Sequence, residues 1–431
     1  MTTRPRLTAT AAGVASIAAT LAMATGAAAH GWHHHDGGPG GYRSHEHHET
    51  SGYGGYGGKP PVPPVGHAAR LFVSPSGATG APCTHKSPCK TIAEALAKAT
   101  RHSTITVLGG EYDEEVPITI ELRLVGVGLP TINALGHHNG VKLAGPGSAG
   151  SLVKGFKVEH ASEEGILALS TSSVNIEGNE VRENDLGNKV ATPEGQCTPE
   201  GGVPGDCGEA VHLMGTSYSH VSGNLVIGNA GGILLTDETG PTAHNVIAHN
   251  NAVANIEDCG ITLAGHNPGA FVGGKTQPTK AGVFDNKIID NLSLANGLIG
   301  EGAGILLASP LPGGGVYDNL VRGNSAAENG LPGITLHSHV TGQDLNGNKF
   351  LDNELSNNGK TGDMGKPGDA GTGLEATAGI IVFSEATMLE GIVVKGNKIN
   401  KEHFGIWTKH APAIDAAANT FTEVEVPLFQ S

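Results

Sequence analysis

Short apolar runs recur along the chain from about residue 165 onward. Each opens on a small residue and continues with β-prone apolar positions: GIL from 165, AVHL from 210, GILL from 232, GITL from 260, GILL from 304, GITL from 333, GIIV from 379 and GIWT from 405. Runs this short are not ordinary helices, and no helix-period pattern lies between them, so sheet-crossing helices are not expected. Side chains alternate along a strand. In G-I-x-L the isoleucine and leucine therefore face one way, and the residues two and four after the glycine face the other.

Between these runs stands a polar phrase with equal regularity. GNEVREN (178–184), GNLVIGN (223–229), HNVIAHN (244–250), DNKIIDN (285–291), DNLVRGN (318–324) and GNKFLDN (347–353) each read Asn, four residues, Asn. In the last four a third asparagine follows at Asn255, Asn296, Asn329 and Asn358, and GNKIN (396–400) and Asn419 continue the series. The shortest repeats run from Asn224 to Asn245 and from Asn397 to Asn419. A repeat of about 22 residues with several tiny strands is a coil of a right-handed parallel β-helix, an all-β solenoid. Asparagines at matching turns would stack coil on coil and bond one another's amides, which satisfies polar groups that are costly to bury alone. The pattern predicts about eleven coils, a rod of roughly 50 Å at about 4.8 Å per coil. TIAEALAKAT (91–100) is the one amphipathic helix, with Ile92, Ala95, Leu96 and Ala99 on one face. It is placed to cap the open first coil, as a solenoid requires.

With these features, residues 70–425 resemble the secreted right-handed β-helix proteins of the pectate-lyase-like superfamily. The resemblance is carried by LFVSPSG (71–77), KTIAEALAKA (90–99), the GGEYDEEV turn (109–116) and the Asn/Gly coils. It implies the fold. It does not choose an activity, because that superfamily holds polysaccharide lyases, uronan epimerases, glycoside hydrolases, tailspikes and a maturation protein for copper enzymes. No complete pectate lyase or polygalacturonase signature is present.

Composition adds a location. Arg4 and Arg6 precede an Ala/Leu/Met-rich run that ends at Ala27-Ala28-Ala29. This reads as a signal peptide over residues 1–29 and predicts an exported, extracellular protein. The alternative, a membrane anchor, would need a longer apolar span. Residues 30–66 are rich in His, Gly and Pro and read as a disordered linker, leaving 67–431 as the solenoid domain. The formal net charge of −15 argues against nucleic acid and against a membrane surface as partners. Cys83 with Cys89 and Cys197 with Cys207 read as local disulfide staples, each worth roughly 2–3 kcal/mol. Cys259 is left over and reads as a small buried residue.

Candidate chemistry follows from the strand phrases. The outward position two after the glycine reads His212, Thr262, Thr335 and Trp407 in successive polar or aromatic cases, and position four gives His337 and Lys409. Two further on come Glu238, His266, His339 and Glu385. Coils lengthen at 185–208, 267–282, 309–315 and 359–377, on both sides of this face, so it is expected to be a groove. Its expected partner is an extracellular polysaccharide. His337 is the preferred general base, with His339, Asp258, Asp237 and Glu238 as further catalytic candidates. Trp407, taken as exposed, is a sugar-stacking platform, and Lys409, Thr335 and His212 bind substrate. In a uronate lyase or epimerase, Lys409 or a metal would offset charge developing on the carboxylate. Hydrolysis would need two carboxylates, Asp237 or Glu238 with Asp258. A divalent metal (Ca, Zn or Cu) is the one cofactor considered. His266, His339 and Glu238 are its candidate ligands, Asp363 and Asp369 a candidate calcium pair, and His33, His34, His35, His45, His47 and His48 weak tail ligands. Two rival readings remain: a non-catalytic glycan binder, and a metal-handling protein fed by the His-rich tail.

Overall fold

The structure is a computed structural model that describes residues 68–185, 209–298, 302–338, 340–360 and 377–431. The leader, the His-rich segment, Cys197, Cys207, His339, Asp363 and Asp369 lie outside the described residues. Three parallel sheets of eleven strands each run the length of the solenoid. Ten coils each contribute one strand to each sheet; Arg70–Ala78 heads the first sheet ahead of them, and an eleventh, partial coil adds Thr420–Thr422 and Val426–Gln430 to the other two, in keeping with the eleven or so coils the repeat predicts.

One coil shows how the residues make the turn. Val246–Ala248 lies in the first sheet, Asn251–Val253 in the third, and Ile261–Ala264 in the second. His249 and Ala254, at the two corners between these strands, have φ of 57° and 51°. Each is followed by an asparagine. The same left-handed residue precedes the ladder asparagine in neighbouring coils, as Asp290 and Gly323 do. This explains the recurring HN, DN and GN pairs: glycine, asparagine, aspartate and histidine tolerate that backbone region best.

The asparagines stack as expected. Asn179, Asn224, Asn250, Asn291, Asn324, Asn353, Asn397 and Asn419 form one continuous ladder. Each Oδ1 accepts both the backbone N–H and the side-chain Nδ2–H of the asparagine one coil earlier. A second ladder runs Asn184, Asn229, Asn255, Asn296, Asn329, Asn358 and ends on Glu402. A third joins Ser219, Asn245, Asn286, Asn319 and Asn348. The pairing corrects the phase read from sequence. Asn224 stacks on Asn250 and not on Asn245, so the interval from Asn224 to Asn245 is not a coil. GNEVREN and GNLVIGN occupy the second and third corners of their coils, whereas HNVIAHN begins at the first. The 22-residue step from Asn397 to Asn419 is a true coil.

The interior is one cluster of buried apolar residues that includes Ile166, Ala168, Ile233, Leu235, Ile261, Leu263, Ile334 and Leu336. Isoleucine and leucine of G-I-x-L thus face the core. The opening glycine has a separate cause: a Cβ at Gly232 would lie 2.0 Å from the carbonyl oxygen of Gly260, and one at Gly304 would lie 2.5 Å from that of Gly333. The phrase opens on glycine because the matching carbonyl of the next coil fills that space. At the N-terminal end the helix is shorter than its sequence pattern, Ile92–Leu96, with a capping box between Thr91 and Glu94. Ile92 and Ala95 are buried on the first coil, with Leu96 and Ala99 packed beside them. Cys83 and Cys89 form the disulfide that frames this cap, and Cys259 is free and buried.

Two outcomes follow from the ladders. Asn291→Ala removes two acceptor bonds and two donor bonds and strands the buried N–H of Asn250. The expected loss is roughly 3–5 kcal/mol, read as a lowered urea midpoint. Glu402 is different because it can ionise. Burial pushes its pKa from 4.5 to about 7, partly opposed by the two Asn358 N–H groups. The folded state holds this proton more tightly than the unfolded chain, so the contribution is whole below about 4.5 and is lost as pH rises through about 7. The difference is on the order of 3 kcal/mol. Glu402→Gln should therefore raise the melting temperature at pH 8 and change it little at pH 5.

Candidate active site

The second sheet carries the phrases that drew attention in the sequence. Its strands include Ile166–Leu169, Glu209–Met214, Gly231–Thr236, Ile261–Ala264, Ile334–Ser338, Ala378–Phe383 and Phe404–Lys409, in coils three to six and eight to ten. Register aligns His212 with Leu234 and Thr262, and Thr335 with Ile381 and Trp407. At the C-terminal end, Ala378, Ile381, Phe383, Phe404 and Trp407 form a cluster apart from the interior core. That separation identifies three outward rows: the residue before the glycine, and those two and four after it.

This outer face is more closed than an open groove floor. Thr262, Thr335, His337 and Trp407 are all buried, and His212 is fully so. Trp407 differs from the exposed platform expected. It is 5% exposed and stacks on Phe383, at 5.6 Å between centroids and 12° between planes. Lys409 Nζ lies 5.1 Å from the centroid of the Phe383 ring. Charge, flat rings and a buried indole N–H without a hydrogen-bond partner thus meet at one end of the face.

At the other end the outward positions are polar and interlocked. His212 Nδ1 lies 3.1 Å from Glu164 Oε1, and its Nε2 lies 2.8 Å from Thr236 Oγ1. Glu238, two residues after Thr236, places Oε1 2.6 Å from His266 Nδ1. Coils three to six thus carry two buried polar groups side by side: Glu164, His212 and Thr236, and Glu238 with His266. Burial alone would raise the Glu238 pKa, but the hydrogen bond and charge of His266, with smaller help from His212 and Thr236, hold it below the usual carboxylate value. An ionised Glu238 can only accept. It therefore takes a hydrogen from Nδ1 of His266.

The other candidates have different surroundings. Asp237 is fully buried and accepts the backbone N–H groups of His266, Asn267 and Gly282 at 2.6–2.9 Å. It ties the 265–282 segment to the previous coil. Burial raises its pKa to about 6 against the pull of those amides. Asp258 Oδ1 accepts the N–H of Cys259 at 2.6 Å, a turn contact at the start of the strand. His337 Nδ1 is 3.2 Å from Thr335 Oγ1 on its own strand. Glu385 is exposed, and its N–H bonds to Ser338 Oγ. The structure therefore pairs Glu238 with His266 and His212 with Glu164 and Thr236, and sets Thr335, His337, Trp407 and Lys409 in a separate group. Glu164 and Glu209 were missed in the sequence. Both stand one residue before the opening small residue of the phrase, in EEGIL and GEAVHL, so their row is legible once the strand is read from one position earlier.

The family model for right-handed β-helix regions matches residues 132–309. No curated protein matches the chain by sequence. Among solved structures, the catalytic domain of a GH87 α-1,3-glucanase in complex with tetrasaccharides is similar to 86% of this chain and 67% of its own, at 13% identity and a TM-score of 0.52. The A-module of the mannuronan C-5 epimerase AlgE4 of Azotobacter vinelandii matches 78% of this chain and 92% of its own, at 13% identity and a TM-score of 0.48. An alginate lyase from Paenibacillus sp. matches 84% and 98%, at 12% identity and a TM-score of 0.46. At these identities the likeness is one of fold.

Asp237 gives this region a measurable signature. Asp237→Ala removes three charge-assisted bonds and should cost roughly 3–5 kcal/mol. Hydrogen exchange should quicken at His266, Asn267 and Gly282, and less so in Asp237→Asn, which keeps one oxygen acceptor.

Proposed function

We propose that the protein is an exported enzyme that modifies an acidic polysaccharide by proton transfer at the carbon next to a uronate carboxylate, as a lyase or epimerase does. The observation that carries this reading is the His266–Glu238 pair. A carboxylate held in its ionised form, 2.6 Å from Nδ1, fixes the tautomer and orientation of the imidazole and raises its basicity. Both side chains are nearly buried, which strengthens their interaction. His266, with a carboxylate on Nδ1, is therefore taken as the base. In the proposed step the C–H bond α to the carboxylate breaks and its proton passes to the imidazole. The electron pair then either expels the β-linked oxygen or takes a proton back from the opposite face.

The substrate class is an analogy from the fold, whose glucanase relative is described with tetrasaccharides bound. The Cys83–Cys89 disulfide supports an oxidising compartment. Among the described residues no helix is long and apolar enough to cross a membrane. Lys409 lies four coils from His266, roughly 19 Å along the rod. It would serve a distant carboxylate on the same polymer, beside the Phe383–Trp407 stack. Hydrolysis is less well supported, because Asp237 is committed to three backbone amides.

The test is a screen of the full chain on uronic-acid polymers and neutral glucans. Unsaturated ends, new reducing ends and solvent deuterium entering the sugar would be followed together. The expected result is unsaturated product or deuterium uptake on an acidic polymer, lowered about 10²- to 10⁴-fold by His266→Ala. Glu238→Gln should shift the pH profile as well as the rate. Activity that His266→Ala leaves intact, or no change in any acidic polymer, overturns the assignment.

A further inference from the structure

Glu164, Glu209 and His212 bring one ligand atom each to within 4.8 Å of one another, and all three are buried. Parallel register places them closely. Ile166 pairs with Val141 on one side and with Val211 on the other. Two residues back along each strand stand Asn139, Glu164 and Glu209, at one position in coils two, three and four. His212 rises beside them on the next outward row of coil four.

Asn139 supplies an independent observation. It is 1% exposed, and its Oδ1 is buried with no hydrogen-bond partner. A buried amide oxygen left in this way is rare and calls for an explanation. Register places it one coil from Glu164 in the same row. An amide oxygen, two carboxylates and an imidazole are the mixed oxygen and nitrogen set that suits Mn²⁺ or Zn²⁺. His212 is also held from its far side: Nε2 lies 2.8 Å from Thr236 Oγ1, and Nδ1 is on the side of Glu164.

We infer that Asn139, Glu164, Glu209 and His212 form a closed site for one divalent ion of the Mn²⁺/Zn²⁺ class, which joins coils two, three and four across the outer face of the second sheet. On binding, Nδ1 exchanges its hydrogen bond with Glu164 for the ion, and both glutamates turn an oxygen to it. None of the four residues is His266 or Glu238, so the site stands whether or not the polysaccharide reading holds.

Mn²⁺ is the probe of choice, because runs of histidine such as those at 33–35 and 45–48 favour Zn²⁺, Cu²⁺ or Ni²⁺ over it. Full-length protein would be titrated with Mn²⁺ and the free ion followed by its paramagnetic resonance signal. Melting curves would be recorded with and without the ion. The expected result is one saturable site per chain and a metal-dependent rise in melting temperature. Glu209→Gln and His212→Gln should each weaken binding at least tenfold. Should either fail to fold, as its metal-free melting curve would reveal, Asn139→Ser reads the same site with less disturbance and is expected to weaken binding severalfold. Equal uptake by wild type and all three variants would assign the ion to the tail and overturn the inference. So would the absence of saturable uptake.

Discussion

From the fourth coil onward, each coil of this protein is held to the next by the same double contact: an asparagine Oδ1 that accepts the backbone N–H and the side-chain N–H of the asparagine one coil earlier. The two bonds at each rung fall between 2.8 and 3.2 Å along all three ladders. They hold although the chain between partners ranges from 22 residues to 45. The ladder thus sets the frame, and variation in loop length is expelled to the outside. Stacking also dictates its neighbour, a left-handed residue before the asparagine, while the glycine of the strand phrase makes room for the next coil's backbone carbonyl.

The same frame gives the outer face of the second sheet its character. Rows before the glycine and two and four after it receive identical backbone settings in every coil, yet they are filled differently along the rod. Coils two to six place Asn139, Glu164, Glu209, His212 and Thr236 there, with Glu238 and His266 two residues beyond the last row. Coils nine and ten place Phe383, Phe404, Trp407 and Lys409. Neither group adds to the interior core, and both are largely buried. Polar groups kept out of water in this way cost free energy unless they satisfy one another. The bonds of His212 to Glu164 and Thr236, and of His266 to Glu238, are how the first group meets that demand.

The ladders, the inward isoleucine and leucine, the eleven coils and the capping helix were legible in the sequence, because each rests on a periodic local rule. The ladder phase was not. An Asn-x4-Asn phrase looks the same whether it spans the first and second corners of a coil or the second and third, and only the pairing of Asn224 with Asn250 decides. The site was legible by residue type and less so by partner. His266 and Glu238 stood on the same outward row, but nothing local announces that they meet. The bond from His212 to Thr236 is diagonal, from two after the glycine in one coil to four after it in the next, so a row-by-row reading passes over it. Trp407 looked exposed because alternation separates inside from outside and says nothing of what else covers the outside.

Thr236 stands between the two polar groups: its Oγ1 lies 2.8 Å from His212 Nε2, and Glu238, two residues later, is paired with His266. An ion on Nδ1 of His212 would leave the ring hydrogen on Nε2, aimed at that hydroxyl oxygen. The coil that brings Thr236 to His212 therefore also carries Glu238 to His266, and one coil serves both sites. A valine at this position would fill similar space while leaving His212 Nε2 short of a partner in a dry environment.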